Sequence, residues 1–106
     1  MDKTKRGACA VIFISRRNAN DPQGYAQASE TMAAEAARQP GYLGMDSVRD
    51  ADGEGITISF WQDEAAALAW RKHAEHSLIR DRGRSDWYDR YGVVVTRIER
   101  AYHWRR

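Results

Sequence analysis

Few of the features that pin a small protein's shape, or advertise its chemistry, are present in this sequence. One cysteine in 106 residues excludes an intrachain disulfide and a thiolate metal cluster. That residue, Cys9, sits in the apolar run 8–14, where a cysteine behaves as a small buried hydrophobe; a nucleophilic thiol needs a basic, partly exposed setting. No apolar stretch is long enough to span a bilayer. The short one behind the basic segment 1–6 runs into Arg16 and Arg17 without a small-residue cleavage site, so it does not read as a signal peptide, and a cytoplasmic protein is expected. Neither sign of charge dominates, with 17 Lys and Arg against 15 Asp and Glu and a net charge of +2. A nucleic-acid binder carries a segregated basic excess, so neither nucleic acid nor membrane is expected as a partner. There is no Walker loop, Rossmann glycine pattern, serine-hydrolase elbow or zinc motif, and no metal site is expected.

Aromatic residues, by contrast, are plentiful: four Trp and five Tyr. A domain this short buries a limited share of its surface by itself, and association is a common way to cover the rest. Along the chain, the β-branched apolar run 8–14 predicts a first strand, and a polar loop ends at Pro22, which suits the opening of a helix. Residues 23–38 are Ala-rich, with Tyr25, Ala28, Met32 and Ala36 at helical spacing, until Pro40-Gly41 stops them. A second strand, 42–49, turns at 50–55 into a third, 55–61. There Ile56, Ile58 and Phe60 share one face and Thr57, Ser59 and Trp61 the other. Asp63 and Glu64 favour the positive end of a helix running to His73, with Ala66, Trp70 and His73 near one face. Helical character resumes from His76 to about Arg82, Gly83 breaks it, and 91–102 reads as the last strand.

The order strand, helix, strand, strand, helix, strand predicts a single α+β domain over 1–106, ferredoxin-like, with an antiparallel sheet and both helices on one face. Apolar residues on both faces of the strands imply a covered sheet. A second copy laid against the open face would make a homodimer, a dimeric α+β barrel.

The segment 60–91 carries a more specific likeness. Phe60-Trp61 ending a strand, Asp63-Glu64 opening a helix, then Trp70-Arg71, His73, His76, Gly83-Arg84, Trp87-Tyr88 and Tyr91 resemble the antibiotic-biosynthesis monooxygenase (ABM) family. The likeness is to the branch of small bacterial proteins grouped with heme-degrading monooxygenases. Pro40-Gly41-Tyr42 is similar to the family's step into the second strand. The resemblance implies a homodimer with a small hydrophobic pocket in each protomer between sheet and helices. It does not fix the reaction, because this fold hosts oxygenases, heme degraders, dismutases and isomerases.

The resemblance also nominates residues. Trp70 matches the pocket tryptophan of the heme-degrading members, where a flat ring presses against a planar substrate; the plainer reading is core filling. His73 and His76, three apart on a helix, are able to shuttle a proton or bind iron, or merely to hydrogen-bond a helix end. The iron-binding histidine of those relatives falls where Ile79 and Arg80 stand here, and their first-strand asparagine falls near Ser15, so the heme chemistry transfers only by substitution. Cofactor-free oxygenases of this fold deprotonate an electron-rich phenol and let the anion reduce oxygen, which takes a base, an oxyanion donor and a dry aromatic pocket. His73 is the candidate base, Trp61 and Trp70 shape the pocket, and Ser15, Ser59, His76 and Tyr91 are candidate substrate contacts. Arg80, Arg82 and Arg84 alternate with Asp81, Asp86 and Asp89 and read as a self-paired surface. Tyr102, His103 and Trp104 read as a dimer-contact tail.

The leading expectation is therefore a monooxygenase acting on a small aromatic molecule with molecular oxygen and no added cofactor. Heme binding and degradation, with heme as substrate or ligand, is the alternative; a non-catalytic small-molecule-binding dimer is the third.

Overall fold

The computed structural model describes residues 2–80 and 86–106, with the backbone alone described at Ile79. Its element order is β1 (Cys9–Arg17), α1 (Pro22–Ala37), β2 (Tyr42–Arg49), β3 (Glu54–Trp61), α2 (Glu64–Arg80) and β4 (Tyr88–Arg97). The four strands form one sheet in the order β2-β3-β1-β4, antiparallel at every pairing. This is the ferredoxin-like arrangement that the sequence pattern predicts.

Local chemistry sets the element ends. Asp21 adopts a left-handed conformation and its carboxylate accepts the Gly24 amide at 3.1 Å, capping α1, with Pro22 in the first turn. Asp63 caps α2 in the same way, accepting the Ala66 amide at 2.9 Å. In the β2–β3 turn, Asp50 Oδ1 accepts the amides of Asp52 and Glu54 at 2.9 and 3.0 Å.

Three elements differ from the sequence expectation. β1 runs on to Arg17 because its polar end residues find partners: Arg49 reaches Ser15, Glu54 reaches Arg16, and the Arg17 guanidinium lies 3.9 Å from the Tyr25 ring centre. β4 is hydrogen-bonded to β1 from Tyr88↔Arg17 to Cys9↔Arg97, so a longer β1 starts β4 earlier. The same pairing ends β4 at Arg97, and Tyr102 to Trp104 lie outside the strand. α2 is continuous through His73 and His76, since nothing between Glu64 and Arg80 breaks it. The expected break at Gly83 and the residues Arg82 and Arg84 lie outside the described residues.

Strand alternation divides the sheet. Val11 and Phe13, Met45 and Ser47, Thr57 and Ser59, and Tyr91 and Val93 face the helices. Ile12, Ile14, Ile56, Ile58, Val48 and Val94 occupy the other face in register with one another, with Val48 71% and Val94 48% exposed. The more apolar side of β3 is thus the one the helices leave uncovered. The packed core gathers at one end of the helix layer, where Trp61, fully buried, stacks on Trp70 at 5.5 Å between ring centres with the planes 24° apart. Cys9, Val11, Ala36 and Ala67 close around them. Burial raises the Cys9 thiol above its ordinary range, as befits an unreactive core cysteine.

The chain enters β2 through Gly41, whose φ is +84° and whose missing Cβ would lie 2.7 Å from the Ala66 Cβ of α2. Both the backbone conformation and the close approach require glycine. Gly41→Ala is expected to lower the unfolding free energy by about 1–3 kcal/mol, measured by urea denaturation.

Candidate active site

Beyond the core, the helices and sheet stand apart around an open space closed at its far end by Tyr25 against Tyr88. A cavity of about 190 Å³ lies between them. Its floor includes Val11, Phe13, Ser59 and Val93, and its roof includes Ala28, Met32, Ala74 and Leu78. Between Tyr25, which reaches Tyr88 of β4, and Met32, which packs on the core, α1 offers only Ala28, Ser29 and Ala33 above the sheet, and these short side chains leave the space open. Trp70, 4% exposed, stands between core and cavity, its ring stacked on both Trp61 and His73 while it lines the cavity.

Aromatic rings form much of the rest. Tyr91 stacks on Phe13 at 5.4 Å and 11°, Tyr88 meets Phe13 edge-on at 5.4 Å, and Trp87 meets Tyr25 edge-on at 6.0 Å. Such rings hold shape well and present flat faces to a planar guest. A cavity of roughly 150 Å³ is known to take up benzene, so this one suits one ring with substituents or two fused rings.

Polar groups sit at defined points on this lining. Arg49 Nη2 donates to Ser15 Oγ at 2.9 Å and Nη1 to the Gly53 carbonyl at 2.6 Å, which fixes the guanidinium at the cavity edge. Burial, reinforced by the neighbouring Tyr25 phenol and a hydrogen bond to it, pushes the Tyr88 phenol well above the ordinary tyrosine range, so it stays neutral. Ser47 and Thr57 hydroxyls are paired at 2.7 Å. Glu75, 3.6 Å from Arg71, is the only carboxylate among the described lining residues. Two buried groups on the lining, Ser77 Oγ and Trp87 Nε1, have no hydrogen-bond partner among the described residues.

Of the residues nominated from the sequence, the structure brings Trp70, Ser59 and Tyr91 to the cavity. Trp61 lies in the core behind Trp70, its indole N–H donating to Ser59 Oγ at 2.8 Å. Ser15 is fully buried under Arg49 and is not among the described lining residues. His73 stacks on Trp70 at 5.4 Å, on the side of α2 that faces α1, and its Nε2 lies 2.7 Å from Glu35 Oε2. His76 is exposed. Neither histidine is among the lining residues. The buried face of α2 runs Ala67, Trp70, Ala74, Ser77 and Leu78. That spacing is legible in the sequence and points to Ser77, which the sequence reading passed over along with Arg49, Tyr25 and Tyr88.

Heme does not fit this arrangement. The described lining holds no histidine or cysteine, its tyrosines are packed ring against ring, and a cavity sized for one or two rings is too small for a porphyrin. Among the described residues no cluster of three His, Cys, Asp or Glu gathers as a metal site. No helix among them is long and apolar enough to cross a membrane.

A ferredoxin-like sheet with an aromatic chamber under its helices defines the class. Residues 9–82 match the antibiotic biosynthesis monooxygenase (ABM) family, and the chain belongs to it. It is 48% identical over 91 residues to the uncharacterized Bacillus subtilis protein YqjZ, covering 86% of this chain and 79% of that one. It is 26% identical over 95 residues to the jasmonate monooxygenase ABM of Pyricularia oryzae, covering 84% of this chain but only 44% of that protein. Among solved structures, SnoaB, a cofactor-independent oxygenase from Streptomyces nogalater, matches with a TM-score of 0.62 over 83% of this chain and 91% of that one. At 18% identity that likeness shows the fold alone.

The pair His73–Glu35 joins α2 to α1 from a half-exposed position, with His73 38% and Glu35 18% exposed. A double-mutant cycle with His73→Ala and Glu35→Gln is expected to give a coupling of no more than about 1 kcal/mol by denaturation, as for other solvent-accessible pairs.

Proposed function

We propose that the protein is a small-molecule monooxygenase that oxidises a phenolic aromatic with molecular oxygen and without an added cofactor. The observation that carries this reading is the cavity, walled by Trp70, Trp87 and the three tyrosines Tyr25, Tyr88 and Tyr91, in a chain of the ABM family. The likeness in fold to a cofactor-independent oxygenase supports it.

The chemistry is that of a substrate serving as its own reductant. Loss of the phenol proton gives an electron-rich anion that passes an electron to oxygen, and recombination forms the new carbon–oxygen bond. Water then leaves, so phenol and dioxygen become quinone and water, with one oxygen atom in each product. The protein's tasks are to hold the ring flat, exclude bulk water and take the first proton. Trp70 and Tyr91 serve the first two. Glu75 takes the proton in this reading, because it is the carboxylate on the described lining, while His73 positions Trp70 from behind. This assignment departs from the sequence expectation, which gave the proton to His73, and experiment separates the two.

The reading includes a homodimer. The exposed row of Ile14, Ile56, Val48 and Val94 on the open sheet face, together with the exposed Tyr102 and Trp104, supplies an apolar surface for a second copy. A cytoplasmic setting agrees with a lone, buried, free cysteine.

Oxygen uptake with 1-naphthol and similar phenols tests the activity. Glu75→Gln is expected to slow uptake by about 10²–10⁴-fold, the usual worth of a positioned base, and His73→Ala by far less. The reverse order would return the proton to His73, and no uptake across a broad phenol panel would leave a binding protein. Light scattering is expected to give twice the 12.1 kDa of one chain. Val94→Glu should shift it to the monomer mass, because it places a charge on the apolar face.

A further inference from the structure

The cavity's polar groups differ in one respect that bears on what it binds. Ser59 Oγ accepts from Trp61 and Ser47 is paired with Thr57. Arg49 is bonded to Ser15 and Gly53, and Arg71 lies beside Glu75. Ser77 and Trp87 stand apart. Ser77 is 1% and Trp87 7% exposed, both line the cavity, and neither Ser77 Oγ nor Trp87 Nε1 has a partner among the described residues. Buried polar groups are nearly always paired, and an orphan in a native structure asks for a partner that the described residues do not supply. A helical serine ordinarily has a local remedy, bonding back to the carbonyl one turn earlier, and Ser77 does not use it. An indole N–H can only donate, so the missing partner must be an acceptor.

We propose that Ser77 and Trp87 bind an oxygen acceptor on the ligand, which makes the cavity selective for planar aromatics bearing a carbonyl or phenolate oxygen over the corresponding hydrocarbons. This rests on the reading of the cavity as the substrate site. It adds to that reading a recognition element that neither the ring-walled shape nor the proton acceptor supplies. The two residues come from different parts of the chain, α2 and the position just before β4, so their meeting in one lining is a product of the fold and not of local sequence. In the reaction above they hold the oxygen that carries negative charge once the phenol is ionised, and then the quinone carbonyl that replaces it.

The test compares two ligands with one carbon skeleton, 1-tetralone and tetralin, by isothermal titration with the wild-type protein, Ser77→Ala, Trp87→Phe and the double variant. A ketone gives up hydration on entering an apolar cavity, so without a donor it binds more weakly than the hydrocarbon. The expected result is that wild type prefers 1-tetralone by about tenfold in Kd, that each single variant loses part of this preference, and that the double variant prefers tetralin. Equal or hydrocarbon-favouring affinities in wild type, or a ketone preference untouched by the double variant, would overturn the proposal while leaving the cavity as a binding site. Failure of both ligands to bind wild type would overturn the cavity reading itself. Thermal unfolding of unliganded Ser77→Ala supplies an independent check. Removing an orphaned hydroxyl should leave Tm within about 2 °C of wild type. A fall of several degrees would show that the hydroxyl is already satisfied inside the protein, and would overturn the proposal as well.

Discussion

The face-to-face contact between Trp61 and Trp70 is the joint on which the rest of the structure depends. Trp61 ends β3 and Trp70 lies in the second turn of α2, so their stack fixes the angle at which the chain leaves the sheet and folds back over it. Ring stacking is worth about 0.5–1.5 kcal/mol beyond the area it buries, and here both rings are almost wholly buried. Tyr42 meets Trp61 edge-on from β2, and His73 continues the stack beyond Trp70 to Glu35 of α1. One column of rings therefore links β2, β3, α2 and α1. Because the column stands at one end of the layer, the elements are held apart at the other end without filling the space between them.

That division of labour explains how a domain of this size keeps a cavity. An unfilled space forfeits contacts and normally costs stability. The cost is limited here because the rigid part of the core is elsewhere, and because the cavity walls support one another. Phe13, Tyr88 and Tyr91 form a cluster on the sheet, and the Arg17 guanidinium lies over Tyr25. The walls keep their shape through contacts with one another and not through the contents of the space they enclose.

Much of this architecture was legible in the sequence. The Ala-rich helix, the Pro40-Gly41 stop, the turn at 50–55 and the acidic start of α2 are local signals, and local hydrogen bonding honours them. The ends of β1 and β4 were harder, because Ser15, Arg16 and Arg17 look like loop residues until Arg49, Glu54 and Tyr25 arrive from elsewhere in the chain. The face of β3 misleads for a related reason. The more apolar side, Ile56, Ile58 and Phe60, turns away from the helices, while Thr57 and Ser59 face them at the cavity floor. At the site, aromatic positions could be read from spacing and family likeness. Whether a histidine on α2 points at the cavity or at α1 depends on a rotation of one residue along the helix, and the buried face through Trp70, Ala74 and Ser77 leaves His73 on the flank.

The makeup of α1 has a consequence for how such a protein diversifies. Ala36 is its only fully buried residue, and beside Tyr25 and Met32 the helix holds over the cavity the small side chains of Ala28, Ser29 and Ala33. Exchanging them alters the shape of the chamber without disturbing the tryptophan column, so the variables that govern stability and those that govern guest size are carried by different residues. A lineage built on this plan is free to explore new guests by drift on a single helix while its foldability is conserved by another part of the chain.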